Sequence, residues 1–180
     1  MNFYFYGIEK SEECFAINKE YKGIEHLSDL YEALLNVWCL YTCTPRLREH
    51  WSEENKTLGQ CSITAFLVQD IFGGEVYGIP RQDGSFHCFN VIDDCIFDLT
   101  SEQFGDEDLD YSNSVEQFRE EHFANENKRK RYDYLCLCLR EYLNNNSDDY
   151  YDDEDEENKK PNRSYTLILL SSFLLFILFF

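Results

Sequence analysis

Residues 60–100 read QCSITAFLVQDIFGGEVYGIPRQDGSFHCFNVIDDCIFDLT. The first thirteen, 60–72, are apolar almost all round, which predicts a buried helix. Gly73-Gly74 follows where a helix needs a cap and an exit. Three strand-like runs come next, at 75–80, 85–92 and 95–99, separated by the turn pairs Asp83-Gly84 and Asp93-Asp94. A buried helix that feeds an antiparallel meander sets the class as α+β.

The flanks extend that core. Upstream, Leu27, Leu30, Tyr31, Leu34, Leu35 and Trp38 fall on one face of a helix over 27–42, which Pro45 should end. The aromatic start of the chain (FYFYGI, residues 3–8) predicts a short edge strand, and 44–59 an irregular polar stretch anchored by Trp51. Downstream, 101–111 reads as an acidic loop. Ser114 and Gln117 resemble a capping box that opens a helix through about Phe123. Residues 128–143 place Tyr132, Leu135, Cys136, Leu139, Tyr142 and Leu143 on one stripe, a further amphipathic helix whose basic start sits at the wrong end for the dipole. The expected architecture is N-terminal helices, a central antiparallel sheet and C-terminal helices, in a folded domain over residues 1–143.

Beyond that domain the composition changes. Residues 148–157 (DDYYDDEDEE) hold eight of the chain's 35 acids, so 144–163 reads as an acidic, disordered linker. Residues 165–180 (YTLILLSSFLLFILFF) carry no charge and follow Lys159, Lys160 and Arg163. As a helix this stretch would span about 24 Å, a little short of a ~30 Å hydrocarbon core. It is expected to be a membrane tail anchor within residues 164–180, with the domain on the cytoplasmic side. The net charge of −19 leaves no basic face for phosphates and argues against nucleic acid. Excess negative charge would also steer cationic or neutral substrates toward a site. The eight cysteines show no CxxC pair and no zinc-finger spacing, and no secretory leader is visible, so they read as reduced thiols with no bound metal and no cofactor.

One cysteine stands apart. Cys61 follows Gly59-Gln60 at the start of the buried helix, where free N–H groups and the dipole favour a thiolate. The same N–H groups could donate to an oxyanion, with Gln60 adding a side-chain donor. A thiol nucleophile wants a base, and His87 lies on the middle strand. The base wants an orienting carboxylate, and Asp98 lies on the returning strand. Parity supports the pair. If Asp93-Asp94 is a two-residue loop, Ile92 opposes Cys95 and Phe89 opposes Asp98. His87 then shares Asp98's face as a diagonal neighbour. Each residue alone has a bland reading, as a buried hydrophobe, a satisfied strand histidine and a turn carboxylate.

These residues also carry a resemblance. Trp38 with Pro45-Arg46 and Arg48, Trp51-Ser52 with Asn55, Gly59-Gln60-Cys61 with Thr64-Ala65, Val68-Gln69-Asp70 with Gly73-Gly74, His87 with Asn90, and Asp98-Leu99-Thr100 with Gln103-Phe104 resemble the YunG-like family. The Gly-Gln-Cys, His-x-aromatic-Asn and Asp-x-Thr blocks are similar to the catalytic segments of transglutaminases, which share the papain-like cysteine-protease fold. That resemblance implies a papain-like core, with Cys61, His87 and Asp98 as a catalytic triad and Gln60 and Asn90 in support. Phe89 departs from it, where a Trp is usual, and so does Cys95, where a Gly is expected.

The leading expectation is a cysteine-nucleophile acyl-transfer enzyme, an amidase, peptidase or transglutaminase-like transferase. It would act on an amide or ester carbonyl, which a protein or peptide can supply. The alternative is a non-catalytic binding or regulatory module displayed at a membrane.

Overall fold

The computed structural model describes residues 4–147. Four helices and a four-stranded antiparallel sheet make up a mixed α+β domain. The helices are α1 (Leu27–Val37), α2 (Cys61–Phe72), α3 (Arg119–Phe123) and α4 (Glu126–Ser147). The strands are β1 (Glu75–Pro80), β2 (Phe86–Ile92), β3 (Cys95–Phe97) and β4 (Val115–Glu116), in the order β3-β2-β1-β4. Short 3-10 turns cover Ile8–Glu13, Pro45–His50 and Ser101–Phe104.

Three helices build the core on one side of the sheet. Leu27, Leu30 and Leu34 of α1, Ile63, Phe66, Leu67 and Ile71 of α2, and Leu135 and Leu139 of α4 are fully buried. Each such side chain contributes about 1.5–3 kcal/mol by leaving water. α2 lies against β2 and is tied to it by Asn90, whose Nδ2 donates to the Ala65 carbonyl (2.9 Å). Trp38 fixes the other flank of α2, its Nε1 donating to Thr64 Oγ1 (3.1 Å). At the exit of α2 the chain presses onto β2: a Cβ on Gly74 (φ 73°) would lie 2.3 Å from the Val91 carbonyl oxygen, so only glycine fits.

The meander follows the expected register. Val76 pairs with Asn90, Tyr77 with Phe89 and Ile79 with His87. Ile92 pairs with Cys95 across a two-residue turn, in which Asp93 and Asp94 both take positive φ. That is the turn whose twist suits a hairpin, and Asx side chains tolerate it. The start of the chain does reach the sheet: Tyr6 bridges to Asp98, and the Asp98 N–H donates to the Tyr6 carbonyl (3.0 Å).

Three boundaries differ from the sequence reading. Helix α1 stops at Val37, well before Pro45. Thr42 bonds both the N–H and the C=O of Cys39 (3.0 and 2.9 Å), and this local turn replaces further helix. Leu40 and Tyr41 beyond it are exposed. Ser114 and Gln117 open no helix. Val115–Glu116 pairs with Tyr77 and Gly78 as a fourth strand, and Ser114 Oγ donates to the Tyr111 carbonyl. The cause is Gly78, whose missing Cβ leaves the space filled by the Gln117 side chain, 2.9 Å from where that Cβ would stand. Helix α4 runs on to Ser147, four residues beyond its expected end.

The acidic run at 148–157 and the apolar tail at 164–180 lie outside the described residues. Among the described residues, no helix is long and apolar enough to cross a membrane. Among them too, no group of three or more His, Cys, Asp or Glu could hold a metal ion.

Candidate active site

Cys61 is the first residue of α2, half-buried at the inner wall of a cleft of about 1100 Å³. The loop before it is forced into place. Gly59 has φ 71°, and a Cβ there would lie 2.9 Å from Cys43 Sγ. Its N–H donates to Gln103 Oε1 (3.3 Å), while Gln103 Nε2 donates to the Thr100 carbonyl (2.8 Å). Gln103 thus ties the cysteine loop to the segment that carries Asp98.

The thiol lies beside the start of β2, with Sγ 3.9 Å from the Phe86 carbonyl oxygen. There it meets residues from both faces of the strand. Cys61 is held well below the usual thiol range. The Cys88 thiol is the largest cause, since it donates to Cys61. Burial opposes this, and the hydrogen bond and charge of His87 and the Cys88 N–H add to the lowering. Cys88 is pushed well above the usual range by the same contact and by its own burial. Of the two, Cys61 is the one favoured as the thiolate.

His87 and Asp98 meet as parity requires. His87 Nε2 donates to Asp98 Oδ2 (2.5 Å), with both side chains almost wholly buried. Burial alone would lower His87. The charge and hydrogen bond of Asp98, helped by Cys61, outweigh it and raise His87 to about 10. His87 Nδ1, the ring nitrogen not committed to Asp98, is buried. Phe104 packs edge-on against the imidazole, centroids 4.6 Å apart.

Asp98 is saturated with donors. Oδ1 accepts from the Thr100 N–H (3.0 Å) and hydroxyl (3.1 Å), and Oδ2 accepts from Tyr111 (3.0 Å) besides His87. Tyr111 is raised by burial and by the Asp98 charge, so it stays a donor.

The two supporting residues are elsewhere. Gln60 is fully buried, its Nε2 donates to the Cys39 carbonyl (3.3 Å), and its side chain does not line the cleft. Asn90 holds α2 on the sheet through Ala65 and does not reach the cleft either. Three residues that line the cleft or support Asp98 carried no functional reading from sequence: Tyr111, His122 and Lys128. Only Lys128 gave a signal, as part of the basic start of α4 that the helix dipole disfavours.

The cleft does not share the acidity of the chain. Arg46, Arg81, Lys128 and Arg131 line it against Asp83, Glu107 and Glu121. Asp83 is paired with Arg46 (2.8 Å), and Glu107 takes both ends of the Arg81 guanidinium (2.8 and 3.0 Å). The chain's excess of acids is therefore not repeated among the side chains that line the cleft.

Fold and cleft together define a small α+β domain in which a thiol, an imidazole and a carboxylate from one helix and one hairpin converge. The chain belongs to the YunG family, whose family model ("YunG protein") matches residues 26–144. It is 36% identical over 95 residues to the "Uncharacterized protein YunG" of Bacillus subtilis (strain 168), covering 53% of this chain and 79% of that one. No solved structure matches it.

Proposed function

We propose that the chain is a cysteine-nucleophile acyl-transfer enzyme, an amidase, peptidase or transglutaminase-like transferase with a papain-like arrangement of Cys61, His87 and Asp98. The observation that carries this reading is the buried Asp98–His87 pair beside a thiol held well below its usual range, at the wall of an open cleft. A structural cysteine on a buried helix has no need of a depressed thiol or an imidazole held charged.

The chemistry follows from the charges. The Cys61 thiolate attacks an amide or ester carbonyl, and the carbonyl oxygen takes the negative charge. With Gln60 committed to Cys39, the donors left for that oxygen are the free N–H groups at the head of α2. His87, charged at neutral pH, gives its proton to the leaving amine or alcohol as the C–N or C–O bond breaks. An acyl thioester remains on Cys61. Water or an amine then attacks it, loses a proton to His87 and releases the acyl group, restoring the thiolate. Asp98 holds the ring orientation and the charge of His87 throughout.

The test is alkylation of the full chain by iodoacetamide at neutral pH, followed residue by residue by mass spectrometry. Cys61 should react far faster than the other seven cysteines, and His87→Ala should slow it. The rate should rise as pH passes the depressed thiol value and change again near pH 10, where His87 loses its proton. Equal sluggishness at all eight cysteines would sink the proposal in favour of a non-catalytic binding module. The apolar stretch at 164–180 we read as an anchor that displays the domain at a membrane, on its sequence alone. Deleting it should release the chain from the membrane fraction, and retention there would refute the anchor.

A further inference from the structure

Two cations in the cleft have no carboxylate paired with them among the described residues. Lys128 and Arg131 stand one turn apart on α4, so they share a face, and both line the cleft that holds Cys61. Among the described residues, neither makes an ion pair. Arg131 is only 3% exposed. Its Nη1 donates to the Thr42 carbonyl (2.8 Å) and its Nε to Asn127 Oδ1 (3.2 Å), both neutral acceptors. Its Nη2 has no hydrogen bond among the described residues. Lys128 Nζ donates to His122 Nδ1 (2.8 Å) and keeps two further hydrogens free.

The ionised Cys61 thiol acts on both, but it also answers His87, and one anion does not balance them all. His122 is fixed from its other side, Nε2 donating to Gln117 Oε1 (2.9 Å). Its two ring nitrogens are thus one acceptor and one donor, which is a neutral imidazole. The cleft's Asp83 and Glu107 are spent on Arg46 and Arg81, and Glu121 is exposed and unpaired among the described residues. Buried cations in excess of their counter-charge are costly and persist where something repays them. A carboxylate does so in kind, because it can accept from the free Arg131 and Lys128 donors together.

We propose that Lys128 and Arg131 form an anion subsite beside Cys61, so that the substrate carries a carboxylate near the carbonyl it presents. This rests on the reading of Cys61 as a nucleophile, and His122 with Gln117 serves to position Lys128.

The test uses paired alkylating agents on the full chain: iodoacetate and the ω-iodoalkanoates up to six carbons, each against its own amide. The acid-to-amide rate ratio at Cys61 cancels the thiolate population. At one or more chain lengths it should exceed the ratio for N-acetylcysteine by about tenfold, the strength of a charge-assisted contact. Lys128→Gln should return it to the free-thiol ratio, and Lys128→Arg should retain the excess. A free-thiol ratio at every chain length, or an excess untouched by Lys128→Gln in a folded protein, would overturn the subsite while leaving the nucleophile standing. If Cys61 reacts with neither partner of any pair, the nucleophile fails and a second measurement decides the subsite. Acetate, titrated against the full chain, should shift the His122 ring resonances saturably where acetamide does not, and Lys128→Gln should abolish the shift. No such shift overturns it.

Discussion

His87 and His122 line the same cleft and are driven in opposite directions. His87 is raised to about 10, and His122 is lowered to about 4. Burial disfavours the charged form of both, and it is the largest single influence on each. The difference lies in what faces the ring. His87 faces the Asp98 carboxylate and the Cys61 thiolate, whose combined pull exceeds the cost of burial. His122 faces the Lys128 ammonium, which adds to that cost. One ring is a stored proton at neutral pH, and the other a fixed, neutral prop. The type of residue therefore says little about its task, and the charge of its nearest neighbour says most of it.

The strongest way to break the contrast is Asp98→Asn. With the shape kept and the charge lost, His87 should fall well below about 10, held against burial by Cys61 alone. Any acyl-transfer rate should fall about 10³- to 10⁴-fold, as when an orienting carboxylate is neutralised elsewhere. The ring resonances and the turnover rate check the two parts. A His87 that still titrates near 10 would contradict the assignment of Asp98. Next comes His87→Ala, which strands the Asp98 carboxylate inside the fold. Urea denaturation should show a loss of about 3 kcal/mol, of which His87→Ala combined with Asp98→Ala should recover part.

His122 sharpens the comparison through pH. Its folded value is below its unfolded one, so between about pH 6.5 and 4 the unfolded chain takes a proton that the folded chain refuses. Its contribution is present above 6.5 and is lost as pH falls through that window, at less than about 1.4 kcal/mol per pH unit. His122→Gln should flatten the slope, as measured by stability at pH 4.5 against pH 7. Lys128→Gln should raise His122 only part of the way to 6.5, because burial remains. The smallest effect is expected from Tyr111→Phe. It removes one of four donors to Asp98 and should cost about 1 kcal/mol, with Cys61 alkylation changed by only a few-fold.

The sequence was most readable where contacts are local. Helix α2 announces itself by its run of apolar residues, and Asp93-Asp94 sets the register that brings His87 to Asp98 eleven positions later. That pairing could be worked out by counting, because strand parity is a strict period of two. Readings failed where distant residues decide. Strand β4 exists because Gly78 leaves room for Gln117, thirty-nine positions on, and no local pattern records that. Gln60 looked like an oxyanion donor from its place beside Cys61, but its amide is claimed by Cys39, across a turn that ended α1 early. Tyr111 lay in a stretch read as an acidic loop. It reaches Asp98 across thirteen residues and packs against Phe89 of β2.

The Asp93-Asp94 turn also orders events in time. A hairpin closes in about 1–10 μs, and this one needs only the few residues between His87 and Asp98 to do so. Asp70 and Arg119, which pin α3 to α2, are forty-nine positions apart and must wait for a far longer loop to close. The acid–base half of the site thus closes a short loop, and the contact that pins α3 a far longer one. In a chain emerging from a ribosome, every residue of the His87–Asp98 hairpin is available before Lys128 and Arg131 are made.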